Sequence, residues 1–91
     1  MIKTTLALAI VVFAGLSQAA LASAPCTAHP KDEWMSEEAM KAKAAEMGYE
    51  KIKTFKVSGE CYEIYGYTKD GRKAEVYFDT KTGDVVKSNI D

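Results

Sequence analysis

The chain has 91 residues, 47% of them hydrophobic, and a formal net charge of −1, but that average hides two unlike parts: residues 1–22 hold one lysine and no acid, whereas the remainder is densely and evenly charged. A remainder this short excludes a multidomain enzyme or a Rossmann-type nucleotide fold. Its interspersed charges also exclude a nucleic-acid protein that works by neutralising phosphates.

In chain order, Lys3, the apolar run Leu6–Leu16 and the small-residue exit Ala20-Leu21-Ala22 read as a secretory signal peptide over residues 1–22, cleaved before Ser23. The run is shorter than the ~20 residues that span a bilayer, so no stable membrane insertion is expected. Cys26 raises the alternative of an acylated N-terminal cysteine, which Pro25 directly before it disfavours. The expected location is periplasmic or secreted, in a bacterial host.

Export also sets the redox chemistry. Beyond the signal peptide there are two cysteines, Cys26 and Cys61, in a compartment where disulfides persist, and they are expected to pair. Every leucine lies in the signal peptide, so the interior must be built from Ile, Val, Phe, Met, Tyr, Trp and Ala. A core that small gains much from a cross-link.

Residues 23–35 form an N-terminal arm punctuated by Pro25 and Pro30. Residues 36–91 form the domain proper. Ser36 is a helix N-cap, Glu37 and Glu38 suit the positive end of the helix dipole, and the helix stops at Gly48. Met40, Ala44 and Met47 make its apolar face. Beyond Gly48 the period changes towards two, giving strands over 49–57, 61–67, 72–79 and 85–90 separated by Gly-containing turns.

Register decides which side chains share a face. A three-residue loop ending in Gly71 sets Tyr62 opposite Phe78, Ile64 opposite Val76 and Gly66 opposite Ala74; the same construction at Gly83 sets Phe78 opposite Val86. That apolar face receives the helix. The far face then holds Cys61, Glu63, Tyr65, Tyr67, Glu75, Tyr77, Val85 and Lys87. In the first strand Ile52 and Phe55 have opposite phase, so a bulge or strong twist is expected near Thr54.

The order of helix, Gly48-Tyr49 and three hairpin-linked strands, with Trp34-Met35-Ser36, Cys61-Tyr62-Glu63-Ile64-Tyr65, Lys69-Asp70-Gly71-Arg72 and the run from Tyr77 to Val86 ending in the turn Asp79-Thr80-Lys81-Thr82-Gly83, resembles the PepSY family over residues 26–88. It looks closest to the short, single-domain exported members. The resemblance implies an α+β fold with one N-terminal helix packed on a three- to four-stranded antiparallel sheet, four strands being expected here. It also implies a non-catalytic module of the kind found in propeptides of secreted peptidases, where such domains inhibit or assist folding.

The expected function is an exported, non-enzymatic binding or inhibitory module acting on another exported protein, possibly a peptidase. Neither cofactor nor metal is assigned. The alternative is a small metal or ligand carrier using the arm, where Cys26 and His29 form a Cys-x-x-His pair; a structural zinc needs four ligands, and a disulfide takes the cysteine. His29 is expected to be an exposed arm residue, and Glu60, Glu63, Glu75, Asp79 and Asp84 to be solvated charges. Tyr65, Tyr67 and Tyr77 are the candidate protein-binding face, rigid amphipathic rings being suited to such contacts; cross-strand packing is the competing role.

Overall fold

Ser36 begins the helix as expected. In the computed structural model, which describes residues 24–91, its hydroxyl accepts from the Ala39 N–H at 3.0 Å and caps α1 (Glu37–Glu46). The expected signal peptide and cleavage point lie outside the described residues. A 3₁₀ turn (Lys31–Glu33) precedes the helix, and β1 (Glu50–Ser58), β2 (Cys61–Tyr67), β3 (Lys73–Asp79) and β4 (Val85–Ile90) follow it. The strands form one antiparallel meander in the order β1-β2-β3-β4, so the architecture is α+β.

The helix packs Met40 and Ala44, both fully buried, onto Tyr62, Ile64, Ala74, Val76 and Phe78. Met47, expected to extend that stripe, is instead the C-cap and 40% exposed, because the chain leaves the helix there for β1. Without leucine, the core is closed by aromatic contacts. Trp34 meets Tyr62 edge-on with ring centres 5.4 Å apart, Phe55 approaches Tyr62 from the side at 4.8 Å, and Tyr49 meets Phe78 at 6.5 Å. The Tyr62 hydroxyl is satisfied by the Met35 carbonyl at 2.7 Å.

The β2–β3 register matches expectation, with Tyr62 opposite Phe78, Ile64 opposite Val76 and Gly66 opposite Ala74. Gly71, at φ 86°, supplies the left-handed residue that this loop needs. The next hairpin differs. Phe78 pairs with Val85 rather than Val86, and Val86 becomes an extra bulged residue before Tyr77 pairs with Lys87. The cause lies in Asp79: its Oδ1 accepts from the Lys81 and Thr82 N–H groups at 2.8 and 3.0 Å, so the turn starts one residue early, with Asp79 closing on Asp84. The bulge restores the phase, and Val76 opposite Ser88 and Ala74 opposite Ile90 follow.

The irregularity expected near Thr54 sits just before it. Residues 51–53 face Gly66 alone, between Glu50 paired with Tyr67 and Thr54 paired with Tyr65. This extra length lets Ile52 and Phe55 both reach the core. It also brings β1 close to Gly66, where a Cβ would lie 2.9 Å from the Glu50 carbonyl oxygen.

The arm is tied down at both ends. Cys26 and Cys61 form the expected disulfide, with Cα atoms 5.4 Å apart, and Ala24 and Cys26 pack with Cys61 and Tyr77 on the sheet face away from the helix. At the other end the Met35 N–H donates to the fully buried Thr80 carbonyl at 2.8 Å.

Two stability measurements check this fold. Reduction of the Cys26–Cys61 bond should lower the melting temperature by an amount equivalent to about 3–4 kcal/mol, from the chain entropy that the bond removes; an unchanged melting curve would make the bond structurally idle. Gly66→Ala should cost about 1–3 kcal/mol in urea unfolding because backbone blocks the new methyl.

Candidate functional site

Two Glu-x-Tyr tripeptides, Glu63-Ile64-Tyr65 and Glu75-Val76-Tyr77, run antiparallel on adjacent strands. The register therefore sets Glu63 opposite Tyr77 and Tyr65 opposite Glu75. All four side chains leave on the face away from the helix, since strand residues of equal parity share a face. The two tyrosine hydroxyls converge on Glu75, each donating to Oε2 at 2.9 Å. Asn89, opposite Glu75 on β4, donates to its Oε1 at 3.1 Å.

Glu63 is only 2% exposed, so it is not the solvated charge expected. Neighbouring strands cover it, and Lys56 approaches no closer than 3.9 Å. Burial raises its carboxyl above the ordinary value, a hydrogen bond to Glu75 raises it further, and Tyr65, Tyr77 and Lys56 oppose this only in part. Glu75 is held down at about 2, first by the hydrogen bond from Glu63; burial opposes, and Tyr77, Tyr65 and Asn89 add to the lowering. Of the two, Glu75 is therefore the carboxyl that ionises first as pH rises. The Tyr65 hydroxyl is pushed up to about 12, chiefly because it donates to Glu75. Both tyrosines are therefore neutral hydrogen-bond donors over the whole physiological range.

The three candidate tyrosines all lie on this face but in different surroundings. Tyr77 is 9% exposed beneath the arm, which favours a packing role for it. Tyr67 is half-buried and Tyr65 is 41% exposed. The arm therefore divides the face into a covered end at Cys61, Tyr77 and Asp79 and an open end at Tyr65 and Tyr67. At the open end a groove of ≈ 370 Å³ crosses the strands, lined by Lys53, Tyr65, Tyr67, Lys73, Glu75 and Asn89. Val85, expected here, is carried opposite Phe78 by the altered β3–β4 register.

Lysines frame this surface. Lys53 lies over the Tyr67 ring at 5.6 Å, Lys56 over Tyr65 at 5.7 Å and Lys87 over Tyr77 at 5.9 Å. These lysines were no part of the expected site except for Lys87. The signal was present in the pairing of Lys56 with Glu63 and Lys73 with Tyr67, which follows once the register is known.

At the covered end, His29 is not the exposed residue expected of the arm. Its Nε2 lies 3.0 Å from Asp79 Oδ2, with both side chains largely shielded, and its carbonyl accepts from the Trp34 indole at 2.9 Å. Burial would raise Asp79, but the Thr82 N–H, the His29 ring and the Lys81 N–H outweigh it and leave the carboxyl at about 2. His29 thus docks the arm on the β3–β4 turn. Among the described residues no group of three or more His, Cys, Asp and Glu is placed to hold a metal ion, and no helix is long and apolar enough to cross a membrane.

The family model for the peptidase propeptide and YPEB domain matches residues 3–89. Neither a curated protein nor a solved structure matches the chain.

The carboxyl pair predicts a signed pH response. With its value raised, Glu63 contributes stability that is complete below the ordinary 4.5 and is lost as pH rises through its folded value. Glu75 acts in the opposite sense, losing its contribution as pH falls from 4.5 towards about 2. Glu63→Gln keeps a neutral donor to Glu75, so its melting temperature should fall less than the wild type's as pH rises above 4.5; parallel curves would show that burial does not raise the Glu63 carboxyl.

Proposed function

Because the chain belongs to the peptidase propeptide and YPEB domain family, we propose that this propeptide-like module is exported to the periplasm or exterior, where it binds and restrains another exported protein without itself catalysing a reaction. A secreted peptidase is the partner class that the family description favours. The carrying observation is the open end of the far face, where Tyr65 stands 41% exposed beside a ≈ 370 Å³ groove while the disulfide-tied arm seals the other end. Rings held by hydrogen bonds lose little freedom on binding, which suits them as interface anchors. Tyr65 and Tyr67 are the contact residues in this reading, and Tyr77 supports Tyr65 from below through their shared Glu75 oxygen.

The competing use of the arm as a carrier finds no such opening, since His29 is committed to Asp79 and Cys26 to Cys61.

The test adds purified protein to peptidases of the host's exported fraction and follows casein hydrolysis. The wild type should slow cleavage in a saturable way. Tyr65→Ser combined with Tyr67→Ser should weaken the effect by tenfold or more, as loss of aromatic anchors does, with the melting transition retained. Equal potency of the double variant would remove the tyrosine face from the reading, and no effect of the wild type on any exported peptidase would remove the peptidase.

A further inference from the structure

β4 is an outer strand of the sheet, so one side of its backbone has no strand beside it, and residues 84–89 are all exposed. Its pairing with β3 fixes which groups face outward. The Asp91 N–H donates to the Lys73 carbonyl at 3.0 Å and Asn89 lies opposite Glu75, so Lys87, Asn89 and Asp91 turn their backbone groups towards β3, whereas Ser88 and Ile90 offer theirs to a further strand. We infer that this further strand is β4 of a second copy, paired antiparallel about a two-fold axis at Asn89, which joins two four-stranded sheets into one.

The side chains of the strand select this occupant. Lys87, Asn89 and Asp91 alternate along one face, a cation and an acid spaced equally from a central amide. A two-fold axis at Asn89 therefore sets Lys87 opposite the partner's Asp91, twice over, while Ser88 exchanges backbone hydrogen bonds with the partner's Ile90. No like charges meet. An axis at Lys87 would oppose two cations directly, and one at Ser88 would leave Lys87 facing an amide and Asp91 facing a valine. The other edge of the sheet is guarded: β1 carries Lys51, Lys53 and Lys56, and its irregularity over residues 51–53, with Lys51 at φ 50°, interrupts the run of outward backbone groups. Pairing of β4 with itself closes after two copies, whereas β4 on β1 would continue head to tail. Asn89 and Asp91 also line the groove beside Tyr65, so the grooves of the two copies meet at the axis.

Five residues per strand make a contact below the standard interface size, and the dimer expected is weak and concentration-dependent. Sedimentation velocity from about 10 µM to about 1 mM should show monomer giving way to dimer. Ser88→Pro removes an outward N–H and no bond to β3, so it should abolish the dimer with the melting transition retained. Lys87→Asp and Asp91→Lys should each weaken association about tenfold, and the two together should restore it, because each single change opposes like charges and the exchange pairs them again; this arm decides if Ser88→Pro does not fold. Mild diamide oxidation should link Asn89→Cys protein into a dimer through the introduced sulfurs, since directly opposed residues at such a position have Cα atoms ~4.5 Å apart, within disulfide reach. Val57→Cys, 53% exposed on β1, should stay monomeric. A monomer at every concentration, an undiminished dimer in folded Ser88→Pro, no recovery on charge exchange, or species growing beyond the dimer would overturn the inference.

Discussion

Gly71 closes the β2–β3 hairpin with a φ of 86°, and the register it sets is the constraint on which both faces of the sheet depend. Side chains alternate along a strand, so a slip of one residue would exchange the buried and exposed sets. In the observed register Tyr62, Ile64, Ala74, Val76 and Phe78 meet Met40 and Ala44 of the helix. The same pairing crosses the two Glu-x-Tyr tripeptides and gathers both tyrosine hydroxyls onto Glu75. Core and candidate site are thus two consequences of one turn.

The second organising element is the arm. Its disulfide to Cys61 and its His29–Asp79 contact cover one end of a face that would otherwise be open throughout. Asp79 serves the β3–β4 turn and the arm at once, with Oδ1 on the turn amides and Oδ2 on His29. Turn geometry and arm docking are therefore coupled through a single carboxylate. The same early turn produces the bulge at Val86, after which the strand regains the phase that places Lys87 opposite Tyr77 and Asn89 opposite Glu75.

Membership of the peptidase propeptide and YPEB domain family fits a module whose distinctive chemistry lies on a surface. Glu63 and Glu75 resemble a catalytic carboxyl pair in having their values pushed apart, yet their partners are the tyrosines and Asn89 of the same sheet. Their effect is to hold Tyr65 in a fixed pose at the open end through its hydrogen bond to Glu75.

Sequence alone determined the helix start at Ser36, the four strands and the β2–β3 register, because caps, turn glycines and alternation act over a few residues. It also determined the Cys26–Cys61 pairing, the chain having no third cysteine to compete. It placed Tyr65, Tyr67 and Tyr77 on one face. Tertiary structure decided how those tyrosines differ, since burial of Tyr77 depends on an arm that docks from some 50 residues away in sequence. It decided that Glu63 is buried with its carboxyl raised, and that His29 is engaged, because both depend on neighbours brought together by folding. The β3–β4 slip was decided there too: a side-chain carboxylate competed with the backbone for the turn amides, and a strand-alternation pattern carries no record of that competition.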